Sequence, residues 1–410
     1  MPLKRELGLF DATSIGVGAI IGGGIFVVTG AAAGLAGPAL VLSLLISALI
    51  AAFSALSFAQ LAERIPKEGG GYEYAHELLS PFAGFLSGWL WLISNTVVGA
   101  VVALGFAHYL APFVPLPANL IAAAACVLVT VVNYAGVKES GRLNDALVLA
   151  KLAVLFLFVG AGMLAVRQAN FTPLAPNGSM GVMQGAALIF FAYGGFARIT
   201  TVGGEVRDPR RTIPRAIVLA LIISTAVYLL VGFTAVGLVG SGALSGTGAP
   251  LAVAARAEPP GLVELVSLGA LAATLSVLLT TVLGLSRVSF VMGQNGELPS
   301  SLSVLHARRA VPHRAIILFG ALMTAAALFT DISEAAALSN FGMLTYYAMA
   351  NLAALRLVRP RYPRAISVIG LVSCLLLLPF LSPRALALGG VVLLAGAAYY
   401  LARVRQKRGG

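Results

Sequence analysis

Residues 16–26 read Gly16-Val17-Gly18-Ala19-Ile20-Ile21-Gly22-Gly23-Gly24-Ile25-Phe26, inside an apolar segment covering residues 11–36. Each of three adjacent glycines weakens a helix by about 1 kcal/mol relative to alanine. They also bare backbone N–H and C=O groups, which at membrane depth are tolerated only where protein or a polar cavity receives them. Gly18 and Gly22 form a small-xxx-small pair of the kind that lets helices pack closely. Three consecutive glycines cannot share one helix face, so packing alone does not account for the run, and a broken helix is expected. The run is not a dinucleotide fingerprint, because position 21 is Ile and no strand precedes it. A second interruption is expected at Phe190-Phe191-Ala192-Tyr193-Gly194-Gly195-Phe196-Ala197-Arg198, where a glycine pair is followed by an arginine.

The rest of the chain places both runs in a bilayer. Of its 410 residues 59% are apolar and only 10% charged, against about 25% charged in ordinary soluble domains. So few charges cannot cover a soluble surface of this size, and so apolar a chain cannot stay disordered. The apolar stretches lack period-two alternation, which excludes a β-barrel. Twelve segments are expected, at about 11–36, 38–62, 81–110, 118–136, 143–166, 183–204, 213–240, 262–291, 314–330, 334–356, 365–381 and 385–402. The fold class is therefore an all-α membrane protein of 12 transmembrane helices. It forms a single transporter-sized domain over residues 1–410, with no room for a large soluble domain between spans.

Of the 27 Lys and Arg, only Arg167, Arg256 and Arg384 fall in loops on one side and Lys151 and Arg198 inside spans. The others lie on the opposite side, which the positive-inside rule makes cytoplasmic, with both termini there and a plasma-membrane location. This distribution accounts for the net charge of +12 and removes nucleic acid as a partner. Lys4 and Arg5 resemble the start of a signal peptide, but the apolar stretch after them is too long for one that is cleaved. Cys126 and Cys374 sit inside apolar stretches, so neither a disulfide framework nor a metal cluster is expected, and no cofactor. The histidines His76, His108, His306 and His313 are scattered, and no nucleophile–base–acid set shares a depth. An enzyme is not expected, nor an obligatory protein partner.

The two interruptions fall in the first and sixth segments, the first of each successive group of five. An odd number of spans per repeat inverts the second copy. Repeat one would cover about 11–166 and repeat two about 183–356, with about 365–402 outside both. Interrupted segments at matching places in two halves point to a transporter's substrate site. After the glycines a half-helix begins with free N–H groups and a positive dipole end, which suits a carboxylate on Gly22, Gly23 and Gly24. Before each break the free carbonyls of Ile20, Ile21, Phe190 and Tyr193 suit an ammonium group. An α-amino acid carries both groups on one carbon.

Four stretches carry a family resemblance: Gly16 to Phe26, ERIPKEGGGYEYAHELLSPFAGFLSGW from Glu63 to Trp89, FFAYGGFARITTVGGEVRDPRRTIPRAI from Phe190 to Ile217, and SRVSFVMGQNGELP from Ser286 to Pro299. In order and spacing they resemble the amino acid–polyamine–organocation (APC) transporter superfamily over about residues 8–400. The resemblance implies a leucine-transporter-type five-plus-five inverted repeat with broken helices 1 and 6, and alternating access. It also implies a site between spans one and six with side-chain contacts from spans three, eight and ten. Asn95, Val98, Phe196, Thr280, Thr281 and Tyr346 are the candidates for those contacts, and Tyr193 and Phe196 flank the break as candidate gates. Many relatives carry an acidic residue where this chain has Ala197, and Arg198 beside it is unusual, so roles tied to that acid do not transfer.

Lys151 lies nine residues beyond Arg142, about 13 Å along a helix, out of easy snorkelling reach. Inserting a lysine at such depth costs at least about 2.5 kcal/mol, which makes it a functional-site hypothesis by default. The resemblance implies more. Sodium-coupled members of the fold hold Na⁺ between spans one, five and eight, whereas some proton-coupled members carry a lysine on span five with its ammonium there. Lys151 matches that position. It either binds and releases the coupling proton or serves as a permanently charged strut between spans one and five.

The carboxylates Asp11, Glu63, Asp145 and Glu205 lie near cytoplasmic span ends, and Asp331 and Glu334 outside. None is at mid-depth, which disfavours a cationic side chain. Arg198 either favours an acidic one or faces water or a neighbouring carboxylate. The expected function is secondary active, proton-coupled, sodium-independent symport of small or medium neutral L-amino acids. The alternative is an amino acid exchanger, possible substrates including cationic amino acids or polyamines. Charged residues of loop 205–215 and of Glu63, Arg64, Lys67 and Glu68 either latch a cytoplasmic gate or only set topology.

Overall fold

The computed structural model describes residue 5 and residues 7–67, 69–257 and 261–409, with the backbone alone for residues 137–142, 191, 334 and 404–409. Lys4 and Glu68, and the side chains of Lys138, Arg142, Glu334, Arg405, Lys407 and Arg408, lie outside the described residues. The described chain is helical, with one isolated bridge between Leu7 and Val206. The helices in order are α1 (Leu9–Ile20), α2 (Thr29–Ala36), α3 (Leu40–Arg64), α4 (Gly71–Leu78), α5 (Pro81–Leu110) and α6 (Ala118–Ala135). There follow α7 (Val137–Gly162), α8 (Gly178–Tyr193), α9 (Arg198–Thr201), α10 (Pro209–Leu244) and α11 (Pro250–Ala255). The last five are α12 (Leu262–Gln294), α13 (His313–Phe329), α14 (Ile332–Leu355), α15 (Arg364–Leu377) and α16 (Pro383–Gly409).

Local chemistry sets many of these starts. Pro81, Pro209 and Pro250 open α5, α10 and α11, where a missing N–H leaves nothing unsatisfied. Ser80 caps α5, its Oγ accepting the Ala83 N–H at 3.1 Å. Some helices outrun the apolar segments read from the sequence. α7 begins at Val137 rather than 143, and α10 runs from Pro209 to Leu244 across a kink at Gly240 (φ 75°). The first turn of α10 is polar, so apolarity alone cannot see it.

By length and composition eight helical stretches among the described residues are able to cross a membrane, the first of them, Leu9–Arg64, containing α1 to α3. His313–Phe329 and Arg364–Phe380 are shorter apolar helices. α14 is long enough but carries buried Ser339, Asn340, Tyr346, Tyr347 and Asn351, so its polar groups face protein rather than lipid.

Burial separates an inner set of helices from an outer one. α12 is buried without a gap from Ser276 to Gly293. On the outside, Leu128 and Val131 of α6, Leu149 and Phe156 of α7, Val368, Val372 and Leu376 of α15, and Leu388 and Val391 of α16 are exposed. Their spacing of three, four or seven places each set on one helix face. An apolar belt left bare by protein is what a bilayer covers.

The first interruption is a true break. α1 ends at Ile20, Ile21 is extended (φ −76°, ψ 100°), and winding resumes as a π turn over Gly24–Val28 that leads into α2. The first resumed bond joins the Phe26 N–H to the Gly22 carbonyl at 3.0 Å. The second differs from a fully unwound stretch. α8 ends at Tyr193, and Gly194–Ala197 form a 3-10 turn before α9. Two tyrosine hydroxyls accommodate the change of winding: Tyr228 donates to the Ala192 carbonyl at 3.1 Å, and Tyr347 to the Gly194 carbonyl.

Candidate functional site

The two interruptions touch. A Cβ on Gly195 would lie 2.3 Å from the Ala19 carbonyl carbon, and one on Gly24 would lie 2.2 Å from the Ala192 Cβ. Only glycine permits so close an approach. The Tyr228 hydroxyl of α10 ties both edges, its single proton shared between Ile20 O (2.5 Å) and Ala192 O (3.1 Å). Between them is a narrow hollow lined by Ala19, Ile20, Gly23, Gly24, Val98, Val102, Gly195, Arg198, Val277 and Met343. Its free space is that of about one water molecule, so the elements must part to admit anything larger.

Lys151 reaches the first break from α7. It is fully buried, and its Nζ donates to Gly18 O (3.0 Å), Ile21 O (2.5 Å) and Ser276 Oγ (3.3 Å). Ser276 Oγ in turn donates to Asn144 Oδ1 at 2.8 Å. No described carboxylate pairs with Lys151. Its partners are neutral oxygens from α1 and α12, so the ammonium draws three helices to one point. Nearby, Ser14 Oγ donates to Asp145 Oδ1 at 2.5 Å.

Arg198 starts α9 and is buried as well. Nη2 donates to Asn95 Oδ1 (3.0 Å), and Nη1 donates to Thr280 Oγ1 (3.1 Å) and Val277 O (3.4 Å). The Nε has no partner. Among the described residues no carboxylate pairs with this guanidinium. The side chain is shut off from the outer surface and turned into the hollow rather than toward a described carboxylate.

The other sequence candidates divide. Gly23, Gly24, Ile20 and Val98 line the hollow, and Asn95 and Thr280 meet it through Arg198. Gly22 instead packs on α12, where a Cβ would lie 2.2 Å from Val277 Cγ2. The carbonyls of Ile20 and Ile21, expected to take a substrate ammonium, already take the Tyr228 hydroxyl and the Lys151 ammonium. Phe190 and Tyr193 are buried beside the hollow without lining it, Tyr193 against Tyr228 at 5.1 Å between ring centres. Thr281 donates to its own helix at Val277 O (2.7 Å). Phe196 stacks on Tyr347 (5.0 Å) and meets Phe58 edge-on (5.6 Å). Tyr346 accepts the Gly71 N–H at 2.9 Å and belongs to the same aromatic layer. On the far side Tyr109 donates to Phe26 O at 2.7 Å and accepts from Leu251 N.

Tyr228, Tyr347, Ser276 and Met343 were not singled out by sequence reasoning. A lone serine or tyrosine in an apolar span is a weak signal, and nothing in it names the distant carbonyl it reaches.

Residues 11–409 match the family described as amino acid permease. The chain belongs to that family. An uncharacterized transporter of Mycobacterium tuberculosis is 41% identical over 99% of this chain and 93% of its own length. A branched-chain amino acid permease of Bacillus subtilis is 32% identical, covering 88% of this chain and 83% of the relative. A chloroplastic cationic amino acid transporter of Arabidopsis thaliana is 32% identical, covering 74% of this chain and 58% of the relative. These relatives carry the names of transporters and permeases, not enzymes. A multi-pass membrane permease for amino acids is the class to which this site belongs.

Proposed function

We propose that this permease symports a proton with an amino acid, independently of sodium, by alternating access. The reading takes twelve spans in a five-plus-five inverted repeat with two further helices, in the plasma membrane with both termini cytoplasmic. The substrate occupies the hollow where the two interruptions meet. Gly23 and Gly24 offer amides to its carboxylate, and Tyr193 and Phe196 move as the site opens.

One observation carries the coupling: the Lys151 ammonium, fully buried without a carboxylate, on the carbonyls of Gly18 and Ile21. A charge in that position holds α1 against α7 and α12. Loss of the proton removes the charge-assisted part of those bonds and frees the first break to move. The proton state is thereby linked to the shape of the site.

The hollow also bears on substrate class. Its lining contains a cation and no carboxylate, which supports small or medium amino acids without positive charge, neutral ones included. Val98, Val102, Val277 and Met343 offer apolar contact of the sort a branched-chain substrate uses. The cationic substrates in the name of the Arabidopsis relative fit poorly beside Arg198.

The test is uptake into proteoliposomes of a panel of labelled L-amino acids, with and without an inward pH gradient, at fixed sodium. Accumulation that follows the pH gradient and ignores sodium is expected. Counterflow without net uptake would make the protein an exchanger.

A further inference from the structure

Taking the hollow as the substrate site, we infer that Arg198 is its specificity-determining residue and selects amino acids with an acidic side chain. The guanidinium is 3% exposed and lines the hollow. Its partners, Asn95 Oδ1, Thr280 Oγ1 and Val277 O, are all neutral, and its Nε has none. A buried cation without a counter-charge is strongly unfavourable. Among the described residues no carboxylate supplies the counter-charge, and the hollow that the guanidinium lines is where an anionic ligand supplies it.

A neutral amino acid can enter this hollow but leaves the guanidinium without a counter-charge. It brings one carboxylate, balanced by its own ammonium. The hollow offers two places for a negative group: the backbone amides at Gly23 and Gly24, and the Arg198 guanidinium. A second carboxylate satisfies both and leaves the substrate with one net negative charge, which neutralises Arg198. Arginine's planar fork suits a carboxylate in two-point contact. A cationic side chain meets like charge at the same place and is rejected.

The experiment is uptake of labelled L-aspartate and L-glutamate by wild-type, Arg198→Gln and Arg198→Lys proteins in proteoliposomes. Unlabelled neutral amino acids serve as competitors, and thermal unfolding in detergent checks each fold. The wild type is expected to prefer the acidic substrates over alanine and leucine. Arg198→Gln should lose acidic uptake by at least about tenfold while its ratio of neutral to acidic uptake rises, with Arg198→Lys between them. If Arg198→Gln fails to fold, the wild-type competition decides alone. Uptake of neutral amino acids that excess aspartate and glutamate leave untouched overturns the inference but not the transporter reading. Failure to carry any amino acid overturns both. Thermal stabilisation by chloride alone, without a shift from aspartate or glutamate, assigns Arg198 to an inorganic anion and overturns the inference.

Discussion

Gly195 sits so close to Ala19 that a methyl group on its Cα would lie 2.3 Å from the Ala19 carbonyl carbon. That contact joins residues 176 positions apart and is where the two interruptions meet. Gly195→Ala must push them apart. Overpacking of this kind costs about 1–3 kcal/mol, so uptake should fall at least about fivefold, with normal insertion in the membrane. Gly160→Ala on α7, where nothing lies within 4 Å of the added methyl, should transport normally. Equal activity of the two variants would show that the contact does not matter.

A second long-range pair closes the end of the molecule where α12 finishes. Arg287 Nε donates to Glu205 Oε1 at 2.8 Å, with side chains 1% and 6% exposed. Removing one partner of a buried ion pair strands the other charge and costs about 3–5 kcal/mol, whereas replacing both is far milder. Glu205→Met and Arg287→Met should each lower the unfolding temperature in detergent more than the double variant does. A double variant as unstable as the sum of the singles would contradict this.

The loop helix α4 predicts a pH effect on stability. His76 Nε2 lies 3.4 Å from Glu297 Oε1, and the other Glu297 oxygen takes the Tyr72 hydroxyl at 2.7 Å. Burial pushes the imidazole below its usual 6.5, outweighing the attraction of Glu77. A depressed histidine binds fewer protons folded than unfolded, so its stabilising contribution is present above 6.5 and lost as pH falls through the folded value. Burial raises the nearby Glu73 carboxyl above its usual range, which acts in the opposite direction as pH falls. The His76→Gln variant isolates the histidine: wild type should lose more thermal stability than the variant between about pH 7 and 5. Parallel curves would exclude His76 as the source.

Much of this architecture was legible because it depends on composition. Gly22-Gly23-Gly24 weakens a helix by about 1 kcal/mol per residue, and the chain leaves helical geometry at Ile21 beside them. Lys151 stood out as a charge deep in an apolar run. Its partners Gly18 O and Ile21 O flank the glycines, so both halves of that contact are local features. Arg198 was equally visible, but its direction was not. Whether its guanidinium crosses to Asn95 and Thr280 or turns to water depends on how α5 and α12 pack against α9. The sequence groups Gly22 with Gly23 and Gly24, yet adjacent glycines point to different faces, and Val277 occupies one of them. Tyr228 illustrates the limit: its hydroxyl bridges carbonyls 208 and 36 residues away, a relation set by tertiary packing alone.

The most direct test of the account is substrate-evoked proton influx, read with a pH-sensitive dye inside proteoliposomes, for wild type and Lys151→Ala. The account predicts that added amino acid acidifies the lumen of wild-type vesicles. Lys151→Ala, inserted and folded, should bind substrate yet evoke no proton entry. Acidification by the variant equal to that of wild type would reduce Lys151 to a strut and contradict the central claim.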